Sequence, residues 1–290
     1  MKREIPQYSF NKNLPLQIEV VDLATLMKSY NSLIFVPHRT NFYHVFLFGE
    51  CTPNHMVDFQ SIAVRPHSLL FINKDNVHLF DKTSPYAGKV LIFTDEFFCV
   101  TEEDRKFLRN SILFNDMVGI TTIRSGKKES LFSAHANQID NELHSIVDTN
   151  QHHIVKNLLH NLLLHAERKK REQGYVELKK GADLDYTRLF KDLLDKNFAQ
   201  KKNVSAFAEL LHVSEKRLNH ATSVVLGKTP KQMIDERVLL EAKRLLTHTS
   251  NTIKEIAFSI GFDEPTNFIK YFRKHTSHTP VEFREMYLKN

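Results

Sequence analysis

Two stretches near the C-terminus, 203–230 and 252–280, carry one pattern twice, and few folds accept such a pattern. In the first, Ala208 is followed by Ser214, Leu218 and the pair Thr229-Pro230. In the second, Ala257 is followed by Asp263, Phe268 and the pair Thr279-Pro280. Leu218 lies as far ahead of Pro230 as Phe268 lies ahead of Pro280, while the turn before each differs by one residue. A repeat of about thirty residues with this spacing reads as helix, tight turn, helix.

Local chemistry agrees. Thr252 with Glu255 forms a capping box, in which hydroxyl and carboxylate satisfy the orphan amides of a helix start. Thr229 with Gln232 and Thr279 with Glu282 repeat the device, each with Pro at the first helical position. Ile253, Ile256, Ala257 and Ile260 recur at helical spacing, so one face of that helix packs inward, and Ala257 lets the next helix cross closely. Gly261 then supplies a turn residue with access to positive φ. His212 stands in its place in the first unit, so a left-handed histidine is expected there at a cost of about 1 kcal/mol.

A helix presented by a tight turn can enter the major groove of DNA. The exposed face of the first such helix would carry Lys216, Arg217, Asn219 and His220, and that of the second Thr266, Asn267, Lys270 and Lys274. Asn suits adenine edges, and Lys suits guanine or phosphate. The helix between the units, from Pro230 to near Leu246, would span roughly 25 Å and hold the two reading helices about one DNA turn apart.

These residues resemble the C-terminal domain of AraC-type (AraC/XylS) transcription regulators. The resemblance runs through Val213-Ser214, Leu218, Gly227-Lys228-Thr229-Pro230, Arg237, Ala242, Leu245-Leu246, Ile256-Ala257, Gly261-Phe262, Phe268, Phe272, Thr279-Pro280 and Arg284. It implies base reading by Lys216, Asn219 and His220 in the first helix and by Pro265, Thr266 and Lys270 in the second. Pro265 offers only apolar contact. Two departures stand out: Thr222 occupies a usual aromatic position, and Ser277 replaces the usual glycine before His278-Thr279-Pro280. The resemblance also implies double-stranded DNA, RNA polymerase and a second copy of the chain as partners.

The rest of the chain is long enough for a second core. Net charge is +6, and the region from Asp183 onward holds 18 Lys and Arg against 14 Asp and Glu, a bias compatible with phosphate binding. No run reaches the roughly eighteen apolar residues of a membrane span, and the first residues lack a signal-peptide apolar core. Cytoplasmic placement without membrane contact is therefore expected. Cys51 and Cys99 then read as reduced thiols.

Residues 1–15 read as a polar arm. From Leu16 to Thr94 the pattern is strand-like, with 41–49, 56–64, 68–72, 77–80 and 87–93 separated by turn residues. In the first of these, Phe42, His44, Phe46 and Phe48 share one face, and Tyr43, Val45 and Leu47 share the other, so both faces should be covered. Short strands so spaced suggest a small barrel or jelly roll. From Lys128 two antiparallel helices follow, one with Leu131, Ile139, Leu143 and Ile146 along a face. The other has a broad stripe of Ile154, Val155, Leu158, Leu159, Leu162 and Leu163. Part of that stripe is available to a second subunit or to the chain's own barrel. The run Arg168-Lys169-Lys170-Arg171, with Gly174 and Lys179-Lys180-Gly181, reads as a charged linker. Beyond it, Leu189, Phe190, Leu193, Leu194 and Phe198 open the next domain.

The order Pro37-His38, Arg65-Pro66-His67-Ser68-Leu69-Leu70-Phe71-Ile72 and Val77-His78-Leu79-Phe80 resembles the cupin-like sensory domain of the same family. It implies a small-molecule effector near His38, Arg39, Tyr43 and His78. The expected architecture is α+β: a cupin-like β-barrel with two helices in 1–173, a linker in 174–182, and an all-α domain of two helix-turn-helix units in 183–290.

Cupins can also be metalloenzymes, but Thr40 and Tyr43 break the paired histidine and carboxylate spacing of a metal site. No phosphate-binding glycine loop or nucleophile elbow is present. No catalytic residue, metal ligand or cofactor is therefore assigned, and a non-enzymatic regulator is expected. The alternative is a small-molecule-binding or metal-dependent barrel whose helical tail has another role.

Overall fold

The computed structural model describes residues 4–11, 13–114, 119–126, 131–178 and 181–288. It separates into two compact units, one of Pro6–Val176 and one that runs from Glu177 onward and also takes in residues 4–5. In chain order the N-terminal unit contains β1 (Gln7–Tyr8), β2 (Ile18–Asp22), α1 (Leu23–Ser29), α2 (Asn31–Ile34), β3 (Arg39–Thr40) and β4 (Tyr43–Phe48). It continues with β5 (Asn54–Val57), β6 (Gln60–Ala63), β7 (Ser68–Ile72), β8 (His78–Leu79) and β9 (Gly88–Phe93). The helices α3 (Asp95–Phe98) and α4 (Glu102–Asn110), the strand β10 (Thr121–Arg124), and the long helices α5 (Leu131–Leu143) and α6 (Gln151–Glu172) complete it.

An antiparallel five-stranded sheet in the order β10-β7-β4-β9-β2 is joined by a three-stranded sheet, β6-β5-β8, and a short parallel pair, β1-β3. The central strand β4 is buried at all six positions, which is the two-sided burial that its apolar residues demand. Phe46 and Phe48 pack with Val57, Leu70, Ile72, Phe80 and Val90 in the barrel interior. Tyr43, Val45 and Leu47 point the other way, into a core shared with Phe98, Phe132, Ile139, Val155 and Leu159 from the helical layer. One strand thus serves two cores. Gly88 pairs with Phe48 across β4 and β9. Its φ is +116°, and a Cβ there would sit 2.1 Å from the Leu47 carbonyl oxygen, so only glycine fits.

Several segments depart from the sequence reading. The stretch 56–64 is not one strand but the hairpin β5–β6, because Asp58 turns the chain with φ +52°. Asp tolerates that left-handed region better than most residues. Helix α1 interrupts the strand series where the Thr25 amide donates to the Asp22 carboxylate at 2.9 Å, an N-cap. Helix α4 likewise starts on a capping box of Thr101 and Asp104. In α5 the buried face is Phe132, Ala136 and Ile139, whereas Leu131 and Ile146 are exposed, the latter beyond the helix end. In α6 the inward stripe is Val155, Leu159, Leu162, Leu163 and Ala166, and Ile154 faces solvent.

The basic run Arg168 to Arg171 is not linker but the end of α6, where cations meet the negative end of the helix dipole. There the Arg171 guanidinium donates to Glu167 at 3.1 Å. Lys179 and Lys180, like Lys128, lie outside the described residues. Both cysteines are free, Cys51 buried and Cys99 half-buried. Among the described residues no helix is long and apolar enough to cross a membrane.

The C-terminal unit is all helical: α7 (Ala182–Asn197), α8 (Val204–Leu210), α9 (Glu215–Leu226), α10 (Pro230–His248), α11 (Ile253–Ser259), α12 (Pro265–Thr276) and α13 (Pro280–Leu288). One core gathers Phe190, Phe207, Leu218, Ile234, Ala257, Phe268 and Phe272. The expected repeat is present in detail. The Val213 amide donates to Ala208 O at 3.0 Å, and the Phe262 amide donates to Ala257 O at 2.9 Å, closing the two turns in the same way. His212 takes φ +53° and Gly261 takes φ +81°, so the histidine does adopt the left-handed conformation. Ser277 does the same with φ +64°, standing in for glycine at the end of α12.

Gly261 is held by space as well as by conformation. A Cβ there would lie 1.6 Å from the Ala199 carbonyl oxygen, and that carbonyl also accepts from the Lys202 ammonium at 3.0 Å. Gly261→Ala is expected to destabilise the C-terminal unit by at least about 1–3 kcal/mol, read as a lowered melting temperature. An unchanged melt would show that the turn relaxes freely.

Candidate functional site

Each unit of the repeat presents its second helix by burying one face and ending it on a left-handed residue, and α9 is also capped at its start. Helix α9 begins at Ser214, whose hydroxyl accepts from the Arg217 amide at 3.1 Å, and ends at Gly227 with φ +65°. Leu218, Ala221 and Thr222 are its buried residues. Thr222 fills the usual aromatic position and is wholly enclosed. Lys216, Asn219 and His220 are exposed on the opposite side. Arg217 is not free with them: its guanidinium pairs with the Asp183 carboxylate and lies 4.8 Å over the Tyr186 ring, both on α7. The His220 ring nitrogen Nε2 is 3.9 Å from the same carboxylate.

Helix α12 opens with Pro265 and buries Phe268 and Phe272. Thr266, Asn267, Lys270 and Lys274 are exposed, while Pro265 is half-buried. Lys274 falls in the last turn with Arg273 and His275, where cations favour the helix C-terminus. A carboxylate again holds the flank. The Tyr271 hydroxyl donates to the buried Asp235 of α10 at 2.9 Å, and His275 Nε2 is 3.9 Å from Asp235. Burial and that carboxylate push the Tyr271 phenol up, so it stays protonated and keeps donating.

Between the paired units, α10 runs 19 residues, roughly 28 Å at the usual helical rise. Its capping box at Thr229 and Gln232 is formed, as is that of α11 at Thr252 and Glu255. Two arginines of the repeat are structural. Arg237 lies 3.9 Å over the Phe198 ring and pairs with Asp195 at 2.9 Å. Arg284 donates to Leu246 O at 3.1 Å and to Asn251 O at 2.6 Å. The pattern that identifies the repeat is therefore mostly scaffold, and the exposed polar positions between its members face outward.

In the barrel, His38 and His78 are brought together, with ring centroids 4.3 Å apart and a backbone bridge between them. Tyr43 is not beside them. It lies on the helical side of β4, where its hydroxyl donates to Asp95 at 3.0 Å and its ring packs 4.8 Å from Phe114. Arg39 is half-buried in β3, its amide donating to Pro6 O at 2.9 Å. Two residues outside the expected set complete the interior group: His44, 4.7 Å from His78, and His55, whose Nε2 is 3.2 Å from His78 Nδ1. His44 was legible as a neighbour of Phe46 by strand alternation, but the position of His55 depends on how β5 folds over the sheet.

All four imidazoles are buried, and burial pushes His44 and His78 well below the usual histidine range and His55 down to about 3. His38 is lowered too, less so because its Nδ1 donates to Val36 O at 2.8 Å. The cluster is thus neutral at pH 7. His44 Nδ1 and His78 Nε2 lack a hydrogen-bond partner among the described residues.

Residues 207–286 match a family described as a helix-turn-helix domain. AdaA of Bacillus subtilis (strain 168), a bifunctional transcriptional activator/DNA repair enzyme, is 30% identical over 104 residues, 36% of this chain and 49% of AdaA. This chain thus spans about half the length of that relative. The HTH-type transcriptional activator RhaS of Pectobacterium carotovorum subsp. carotovorum (strain PC1) is 22% identical over 256 residues, 86% of this chain and 88% of RhaS. Among solved structures, ToxT of Vibrio cholerae aligns over 93% of this chain and 95% of its own, at 12% identity and a TM-score of 0.44. The paired units lie largely within the matched region, so residues 207–286 form a helix-turn-helix domain similar to those of the transcriptional activators AdaA and RhaS.

Proposed function

We propose that this regulator reads two adjacent sites on one face of a DNA duplex and is controlled by a small molecule taken up by its N-terminal barrel. The observation that carries the DNA reading is the pair of helices α9 and α12, set on one core with polar side chains outward. Lys216, Asn219, His220, Thr266, Asn267 and Lys270 are the base-reading set, with Pro265 giving apolar contact and Arg217 and Lys274 as phosphate contacts. The effector reading draws on the buried ring nitrogens of His44 and His78, which have hydrogen-bonding capacity left over. In this reading His38 and His78 line the effector site, with Arg39 at its edge.

The exposed Ile154 and Leu164 on α6 favour a homodimer formed through that helix. RNA polymerase is the partner expected of an activator, the description carried by the RhaS relatives. The working place of such a protein is the cytoplasm. No enzymatic step is assigned, because the match to AdaA covers only part of that enzyme.

Selection of bound duplexes from random DNA by the full chain tests this reading. Two recognition elements about ten base pairs apart are expected. Asn219→Ala and Lys270→Ala should each relax preference at a separate element, losing about 1–3 kcal/mol of discrimination there. If both variants bind all sequences uniformly less tightly, these side chains only position the protein. If no sequence is enriched by the unaltered chain, the base-reading assignment falls.

A further inference from the structure

We infer that Asp183 is a specificity-determining positioning residue: by holding Arg217 against α7 it keeps an arginine fork out of base recognition. The inference rests on the DNA reading proposed above. Arg217 and His220 sit three residues apart on α9, so they share one flank, and Asp183 meets both. The Arg217 guanidinium is fixed twice, by the carboxylate at one edge and by the Tyr186 ring under its plane.

Asp183 is itself well placed to hold. It lies in the first turn of α7, where the helix dipole favours a carboxylate, and the neighbouring Leu184 is buried in the unit. An arginine on a reading helix would ordinarily offer two parallel donors to guanine O6 and N7, the commonest specific contact to DNA. Here one edge of the fork is already engaged, and the plane is anchored on the side of α7. The remaining donors can still meet a phosphate, which needs no bidentate register. Base choice at this helix is left to Lys216, Asn219 and His220.

The test compares the sequence preferences of the full chain carrying Asp183→Asn, Asp183→Glu, Arg217→Lys, Arg217→Ala, and the combination of Asp183→Asn with Arg217→Ala. Preferences are read by selection from random duplexes, and folding by circular dichroism. Asp183→Asn is expected to add a guanine preference of about tenfold or more at one position beside the Asn219 element. Asp183→Glu, which retains the carboxylate, should keep the original profile. The new preference should vanish when Arg217→Ala is combined with Asp183→Asn.

In the unaltered Asp183 background, Arg217→Lys should leave base preferences unchanged. That variant keeps the inference exposed even if Asp183→Asn fails to fold. A shift of base preference on Arg217→Lys alone, or a folded Asp183→Asn with the original profile, would overturn the proposal. Absence of any enriched motif for the unaltered chain would identify a failure of the DNA reading itself, and would overturn both.

Discussion

Lowering the pH from about 7 towards about 4 is expected to unfold the N-terminal unit cooperatively. The cause is the buried cluster of His38, His44, His55 and His78. In the unfolded chain each titrates near the ordinary value of 6.5, whereas in the fold His55 titrates near 3 and His44 and His78 are also held well below that value. The folded state therefore binds fewer protons than the unfolded state across this window. Stability is fully present above about 6.5 and is lost as the pH falls through the window towards the folded values. With three strongly depressed groups the slope reaches roughly 4 kcal/mol per pH unit in the steep part of the window.

Hydrogen exchange of the β4 and β9 amides, followed by mass spectrometry, would report the opening. His44→Phe is the informative variant. It removes a titrating ring whose Nδ1 has no partner, and the new ring can stack on Phe46, 5.7 Å from the present imidazole. The acid transition should become shallower and move to lower pH. A unit that stays protected near pH 4, or a transition indifferent to His44, would show that the cluster does not govern acid stability.

Replacing Phe268 by Ala is expected to destabilise the C-terminal unit by about 3–5 kcal/mol and to abolish DNA binding. The side chain is fully enclosed, 5.8 Å from Phe272 and 5.5 Å from Phe262 by ring centroids. Removing it opens a cavity beneath α12, the helix whose outer face carries Thr266, Asn267 and Lys270. Denaturant unfolding should show the loss directly. A variant that melts normally yet binds nothing would mean that Phe268 acts on DNA recognition by some route other than packing.

Much of the C-terminal unit was readable because its determinants are local. Capping boxes, a proline at a helix start and a left-handed turn each declare themselves within four residues, and the repeat shows them twice. The pairing of Arg217 with Asp183 was not readable, since those residues are far apart in sequence and meet only when α7 packs on α9. The N-terminal unit was readable in the strands whose alternation is strong, above all β4. It was misread where one residue reverses the chain, as Asp58 does, and where the exposed and buried apolar faces of α5 and α6 had to be told apart. Periodicity finds a stripe, but only tertiary packing decides how much of it is covered. The same limit applied to Tyr43, whose neighbour His44 enters the barrel while Tyr43 itself leaves it.

The two-faced burial of β4 bears on how this chain tolerates insertion and deletion. Because side chains alternate, a one-residue slip of β4 against β9 would exchange the contents of the two cores. Histidine would enter the layer packed on α5 and α6, and Tyr43 would enter the barrel. Gly88, paired with Phe48, marks the present register, since at its φ of +116° a Cβ would meet the Leu47 carbonyl oxygen. A single-residue insertion within β4 should therefore abolish folding of the unit, whereas the same insertion in the exposed connection around Ser145 and Ile146 should pass almost unnoticed.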